Sequence, residues 1–273
     1  SIVPNAAPLN SVTSPLTLIG CGNMAGAMLE RWLAAGLAPD QVKVVRPSGQ
    51  AVAEGVAVTT DLAPIAPLDG IVMLGFKPQQ LAEMAPAIAA ALAPGATLVS
   101  ILAGVTLADL RLLFPDRPLV RAMPNMPVRH GEGVVMLAGD QTGDVAKLMA
   151  SLGHAQWLEE EANFDLYTAL AGCGPAYVYR FIEAMAAAGT RLGLPAEDAM
   201  TITRAMMLGA AASAYRSPLS PGELVSEVAS KGGMTQAGLD VLDDDGKLVA
   251  LLTDTLRAAR DRGKELAELA RAE

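Results

Sequence analysis

Glycines at Gly20, Gly22 and Gly26 stand in the run Gly20-Cys21-Gly22-Asn23-Met24-Ala25-Gly26. An apolar stretch, Leu16-Thr17-Leu18-Ile19, precedes them, and a helical pattern through Met28, Leu29, Trp32 and Leu33 follows. This spacing suits one kind of chemistry, the holding of phosphate by backbone. Gly20 permits a tight turn, Gly22 lets the main chain approach without a Cβ in the way, and Ala25 or Gly26 lets the helix pack close to the strand. The first N–H groups of the helix and its positive dipole end then face the anion. A plain strand–turn–helix corner has the same outline. The strand before and the helix after favour a dinucleotide pyrophosphate, with Gly20, Gly22, Asn23 and Met24 beside it.

A second strand ends Val44-Val45-Arg46-Pro47-Ser48. In dinucleotide folds an acid at this point holds the ribose 2′-hydroxyl of NAD. Arg46 stands there instead, with Ser48 able to add a hydrogen bond, so a 2′-phosphate and NADPH are expected, with NADH as the alternative. Three further segments sit where strands should end: Phe76-Lys77-Pro78, Ala103-Gly104 and Met123-Pro124-Asn125. Ligands of open α/β sheets bind at such carboxyl ends. All three are expected to border the cofactor, with the Asn125 amide reaching the nicotinamide ribose or carboxamide.

The other half of the chain lacks a conventional base. From Phe164 onward there is no histidine, and the only lysines are Lys231, Lys247 and Lys264. Alcohol oxidation needs a group to take the hydroxyl proton, and only tyrosines remain for it. Imine reduction asks less, because the nitrogen can arrive protonated and the protein has mainly to orient it. Ser230-Lys231-Gly232-Gly233-Met234-Thr235 joins two helical patterns. Its glycines can offer N–H groups to a carboxylate between two hydroxyls. A Gly-Gly pair also marks a helix stop.

These residues need elements to position them. In the first half, short β-rich runs at 42–45, 70–75, 97–101, 119–122, 133–137 and 155–158 alternate with helical patterns at 24–35, 78–92, 106–114 and 143–152. The alternation predicts a mostly parallel sheet covered on both faces, and Ile71-Val72-Met73-Leu74 reads as its central strand. After Glu161 only helical patterns remain, broken once at Gly172-Cys173-Gly174-Pro175. The expected fold is α/β: a loose tail over 1–15, a Rossmann-type dinucleotide-binding domain over 16–162, and an all-α domain over 163–273. A helix over 196–215 is apolar nearly all round, as for one buried in a core or against a partner chain. A helical half this rich in apolar surface favours a dimer over a monomer with that domain packed on the first.

The chain has 273 residues, 52% of them hydrophobic and 18% charged, enough for a sizeable core. A net charge of −9 argues against a nucleic-acid partner. Cys21 and Cys173 are too few for a disulfide scaffold, and His130 and His154 are the only histidines, so no metal site is expected. The uncharged stretch 84–108 is interrupted by Pro86 and by Pro94-Gly95 and reads as helix, turn and strand instead of a membrane span. With no signal pattern at the start, a cytoplasmic location is expected.

Four motifs in order resemble those of the pyrroline-5-carboxylate reductases. Gly20-x-Gly22-Asn23-Met24-Ala25 is similar to the family's Gly-x-Gly-Asn-Met-Ala opening, and Arg121-Ala122-Met123-Pro124-Asn125-Met126-Pro127 to its Arg-x-Met-Pro-Asn-x-Pro. Gly172-Cys173-Gly174-Pro175-Ala176-Tyr177 resembles its Gly-Ser-Gly-Pro-Ala-Tyr break, and the 230–235 segment with Ala237-Gly238-Leu239 its Ser-Pro-Gly-Gly-Thr-Thr signature. The resemblance implies hydride transfer from NAD(P)H to the imine carbon of 1-pyrroline-5-carboxylate, giving L-proline. It implies that Ser230 and the N–H groups of Gly232 and Gly233 hold the carboxylate and that Thr235 bonds the ring nitrogen. It further implies an all-α dimerisation domain, dimers with interleaved helical domains, often built into decamers, and a substrate loop completed across the dimer. Lys231 and Met234 depart from the pattern, which bears on substrate preference and leaves the reaction class unchanged. The alternatives are a related reductase of another cyclic imine or a β-hydroxyacid, and an NADP-binding regulator without turnover. The β-hydroxyacid enzymes would carry a lysine early in the long helix, and none lies between Phe164 and Ser230.

Overall fold

A computed structural model describes residues 8–272. Eight strands form one sheet: β1 (Leu16–Ile19), β2 (Val42–Val45), β3 (Ala57–Thr59), β4 (Ile71–Leu74), β5 (Thr97–Ser100), β6 (Leu119–Pro124), β7 (Gly133–Gly139) and β8 (Gly153–Trp157). Their order across the sheet is β3-β2-β1-β4-β5-β6-β7-β8. All neighbours run parallel except β6 and β7, which pair antiparallel from Val120↔Gly139 to Pro124↔Val135. β3 is not foreseen by the sequence reading; three residues on a sheet edge carry too short a pattern to register.

Alternation along each strand builds two cores. Ile71 and Met73 of β4 join Leu16, Leu18, Val42 and Val44 under α1 (Asn23–Ala34) and α4 (Gly143–Ala150). Val72 and Leu74 face the other way, toward α2 (Leu81–Ala91) and α3 (Leu107–Leu113). This is the period-two pattern of a sheet buried on both faces. Trp32 is fully buried, and its indole N–H donates to the Leu148 carbonyl at 2.9 Å.

Residues 9–14 are not the loose tail expected of them. Leu9 and Val12 are 1% and 2% exposed, and the Asp144 carboxylate accepts bonds from the Ser14 hydroxyl and from the N–H groups of Thr13 and Ser14. The small polar composition hid two buried apolar residues at three-residue spacing. The part of that expected tail over 1–7 lies outside the described residues.

Beyond β8 the chain is helical: α5 (Phe164–Tyr167), a π-helical turn (Thr168–Gly172), α6 (Gly174–Arg191), α7 (Ala196–Arg216), α8 (Pro221–Val228), α9 (Met234–Leu242) and α10 (Lys247–Ala272). By compactness the chain forms two units that part after Cys173. One unit holds the residues up to Cys173 together with those from Ala259 on, and the other is Gly174–Ala258. Phe164, 1% exposed against Met136 and Ala138, ties the start of the helical stretch to the sheet. Within the second unit α6 packs on α7, yet Val178, Ile202, Leu208, Val249 and Leu251 are each more than half exposed. Among the described residues no helix is long and apolar enough to cross a membrane.

Candidate active site

The order reverses between β1 and β4, and a cleft of about 610 Å³ opens at their carboxyl ends. Ligands of doubly wound sheets sit at this switch point. Gly20 has φ +86°, and a Cβ there would lie 2.7 Å from the Phe76 nitrogen. The turn after β1 therefore requires glycine twice over, for its left-handed backbone and for the close crossing with the chain leaving β4. A Cβ on Gly22 would meet nothing. Gly22 caps α1 with no side-chain bond, so the opening turn of that helix offers its N–H groups to the cleft that Gly22, Asn23, Met24 and Ala25 line.

Of the cofactor residues expected from sequence, Gly20, Gly22, Asn23, Met24, Arg46, Ser48, Phe76, Lys77, Pro78 and Ala103 all line this cleft. Arg46 has no carboxylate partner among the described residues. Burial pushes the Cys21 thiol up, against a smaller opposing pull from the Arg46 guanidinium. The thiol thus stays neutral beside the glycine turn.

Gly104 and Asn125 lie outside the cleft lining. Gly104, φ +76°, faces the end of α10: a Cβ would sit 3.3 Å from the Cα of Ala267. Asn125 is 6% exposed, and its amide bonds the backbone of Val134 and of Ala171. Both ends of that amide are thus engaged by backbone.

A group missed from sequence surrounds Arg121 in β6. The guanidinium is nearly buried, 2.7 Å from Glu161 and 4.0 Å from Asp165, and lies 3.8 Å over the Phe164 ring. Glu161 in turn accepts the N–H of Leu107, which opens α3, at 3.0 Å. An arginine inside the apolar run Leu119-Val120-Arg121-Ala122 signals that partners must exist, because a buried charge is costly alone. Their identity, forty positions on, carries no local signal. Together with Gly104, Thr106, Lys264 and Glu268, Arg121 and Glu161 line a second cavity of about 380 Å³.

In the second unit, α8 begins with a capping box in which Ser220 and Glu223 satisfy each other's backbone N–H groups. After α8 the chain turns through Ser230, Lys231, Gly232 and Gly233 into α9. Gly232 has φ +73°, and a Cβ on Gly233 would lie 2.5 Å from the Ser230 hydroxyl. The Gly233 N–H donates to the Ser230 carbonyl at 2.9 Å, so it is not free for a carboxylate as the resemblance implied. The open donors are those starting α9, at Met234 and Thr235, whose N-cap Gly233 has no side chain to cover them. The turn takes the hydrogen bond of Gly233 to itself and leaves the first N–H groups of α9 without a side-chain cap. Ser230, Lys231 and Thr235 are exposed, and Met234 is 95% exposed.

A glycine turn at the switch point of a doubly wound sheet, followed by an all-helical unit, defines a dinucleotide-binding architecture of two parts. The family model described as pyrroline-5-carboxylate reductase dimerisation matches residues 161–266, and that described as NADP oxidoreductase coenzyme F420-dependent matches 15–104. The pyrroline-5-carboxylate reductase of Pseudomonas aeruginosa is 35% identical over 269 residues, spanning 94% of this chain and 98% of its own length. The chain belongs to the pyrroline-5-carboxylate reductase family. A solved pyrroline-5-carboxylate reductase from Coxiella burnetii superposes with a TM-score of 0.85 at 31% identity, covering 93% of this chain and 98% of that one. The Plasmodium falciparum pyrroline carboxylate reductase, solved with NADP bound, shares the fold at a TM-score of 0.79 and 24% identity, covering 94% and 99% of the two chains.

Proposed function

We infer that this protein reduces 1-pyrroline-5-carboxylate to L-proline, the last step of proline biosynthesis. One hydride adds to the imine carbon and one proton ends on the ring nitrogen. The carrying observation is family membership across nearly the whole chain, together with a glycine-lined cleft that fits a dinucleotide. The reduced nicotinamide, when bound, supplies the hydride. Gly22 and the opening turn of α1 hold the pyrophosphate. Arg46 and Ser48 take the 2′-phosphate, which makes NADPH the preferred donor over NADH.

The start of α9 holds the substrate carboxylate, with Ser230 and Gly232 beside it and Lys231 adding charge. Thr235 keeps its role at the ring nitrogen, and Met234 narrows the approach. Fixing the carboxylate and the nitrogen aligns the imine face for attack, and this alignment is the larger part of what the protein contributes. The protein self-associates through its helical unit, whose apolar side chains stand exposed in the single chain. Dimers with interleaved helical domains are the basic assembly we propose, with decamers built from them. We place the protein in the cytoplasm, where Cys21 and Cys173 remain free thiols.

The deciding experiment follows NADPH consumption with 1-pyrroline-5-carboxylate, a larger cyclic imine and a β-keto acid. Turnover is expected with the pyrroline and stoichiometric proline formation. Preference for either other substrate, or binding of NADPH with no turnover, overturns the assignment.

A further inference from the structure

Asn125 works in two directions from the end of β6. Its Oδ1 accepts the N–H of Val134 at 2.8 Å, while its own backbone N–H donates to the Val134 carbonyl at 3.2 Å. Its Nδ2 donates to the carbonyl of Ala171 at 2.9 Å, within the π-helical turn. In a regular helix that carbonyl would receive the N–H four residues on. The residue there is Pro175, which has none. The chain widens, Cys173 N–H reaches back to the Thr168 carbonyl at 3.0 Å, and the asparagine amide supplies the donor the proline lacks.

We propose that Asn125 is a positioning residue for the reduction. It fixes the conformation of the helix break through which the chain leaves the nucleotide-binding unit, and it acts on the reaction through that segment without touching either reactant. The inference rests on the reductase reading for its effect on rate. The clamp itself is independent of that reading. Hydride transfer makes such a residue matter, because misplacement of reacting groups by about 1 Å costs on the order of a hundredfold in rate.

Asn125→Asp is the informative change. It preserves shape and the acceptor for Val134, removes the donor, and sets an oxygen against the Ala171 carbonyl. We expect kcat to fall about tenfold or more while the Kd for NADPH, read by fluorescence, stays within about twofold. Amide exchange over 168–176 should quicken, a readout that needs no turnover. Adding Pro175→Ala returns a backbone N–H to the Ala171 carbonyl and should recover most of the lost kcat and slow the exchange again. Should Asn125→Asp alone fail to fold, Pro175→Ala is compared with the double variant, and their kcat values are expected to agree within about threefold. An unchanged kcat in Asn125→Asp, a selective rise in the NADPH Kd, or no recovery on adding Pro175→Ala overturns the proposal. Failure of the wild type to reduce the pyrroline would instead fault the reductase reading and leave the exchange result standing.

Discussion

Arg46 and Thr235 are the two side chains on which selectivity and turnover are expected to depend most. An arginine on a phosphate contributes a charge-assisted, two-pronged hydrogen bond, worth about 1.5–3 kcal/mol. Arg46→Asp removes it and adds repulsion, so kcat/KM with NADPH should fall about a hundredfold, while NADH changes by no more than about threefold. Steady-state kinetics with both cofactors read this directly, and equal losses would withdraw the 2′-phosphate assignment. For Thr235 the proposed contact with the ring nitrogen is made by the hydroxyl. Thr235→Ser should hold kcat/KM within about fivefold, and Thr235→Ala should lower it about a hundredfold. Comparable kinetics for threonine, serine and alanine would end its role at the nitrogen.

At the level of elements, short segments are held by single carboxylates. Asp144 anchors the stretch before β1 to α4. Burial would raise its pKa, but bonds from Ser14, Lys147 and Thr13 outweigh that and hold the carboxyl below its usual range. A depressed folded-state pKa stabilises above the unfolded value, about 3.9, and the contribution is lost as pH falls through the folded one. Asp144→Asn should therefore lower stability at neutral pH by about 1 kcal/mol, a modest figure because the group is partly solvated. Urea melts at pH 7 and pH 3 test it: the gap between wild type and variant should narrow at the lower pH.

The mostly parallel sheet, most of its helices and the glycine turn were legible because their signals are local: period-two runs, helical faces, and glycines beside a strand. The residues around Arg121 were not, because a strand reveals that a buried charge needs partners without saying where they lie. The same holds for Asn125, whose two bonds join positions nine and forty-six residues away. At 230–235 the sequence marked a glycine turn between two helices but not which N–H groups the turn would take for itself.

The whole molecule joins a well-filled sheet domain to a helical unit with little interior of its own. Ala186, Ala199, Thr203 and Ala212 are its buried residues among those described, all small, while its large apolar side chains face outward. A body built this way gains its stability from what covers it. Unfolding midpoints should therefore rise with protein concentration, by several degrees across a hundredfold range, and sedimentation should show no lasting monomer at micromolar chain. Leu208→Glu with Ile202→Glu, both on the exposed face of α7, should dissociate the assembly and lower the melting temperature while leaving NADPH binding by the sheet domain intact.

That missing interior also sets a clock on the newborn chain. The sheet can form on its own contacts, but the helical unit is expected to mature only on meeting a second copy, so its maturation is a bimolecular event whose pace follows the local supply of sister chains. In dilute refolding the wait lengthens and sticky faces stay open to the wrong neighbours. Yield should therefore pass through an optimum, starved of encounters below it and lost to clumping above.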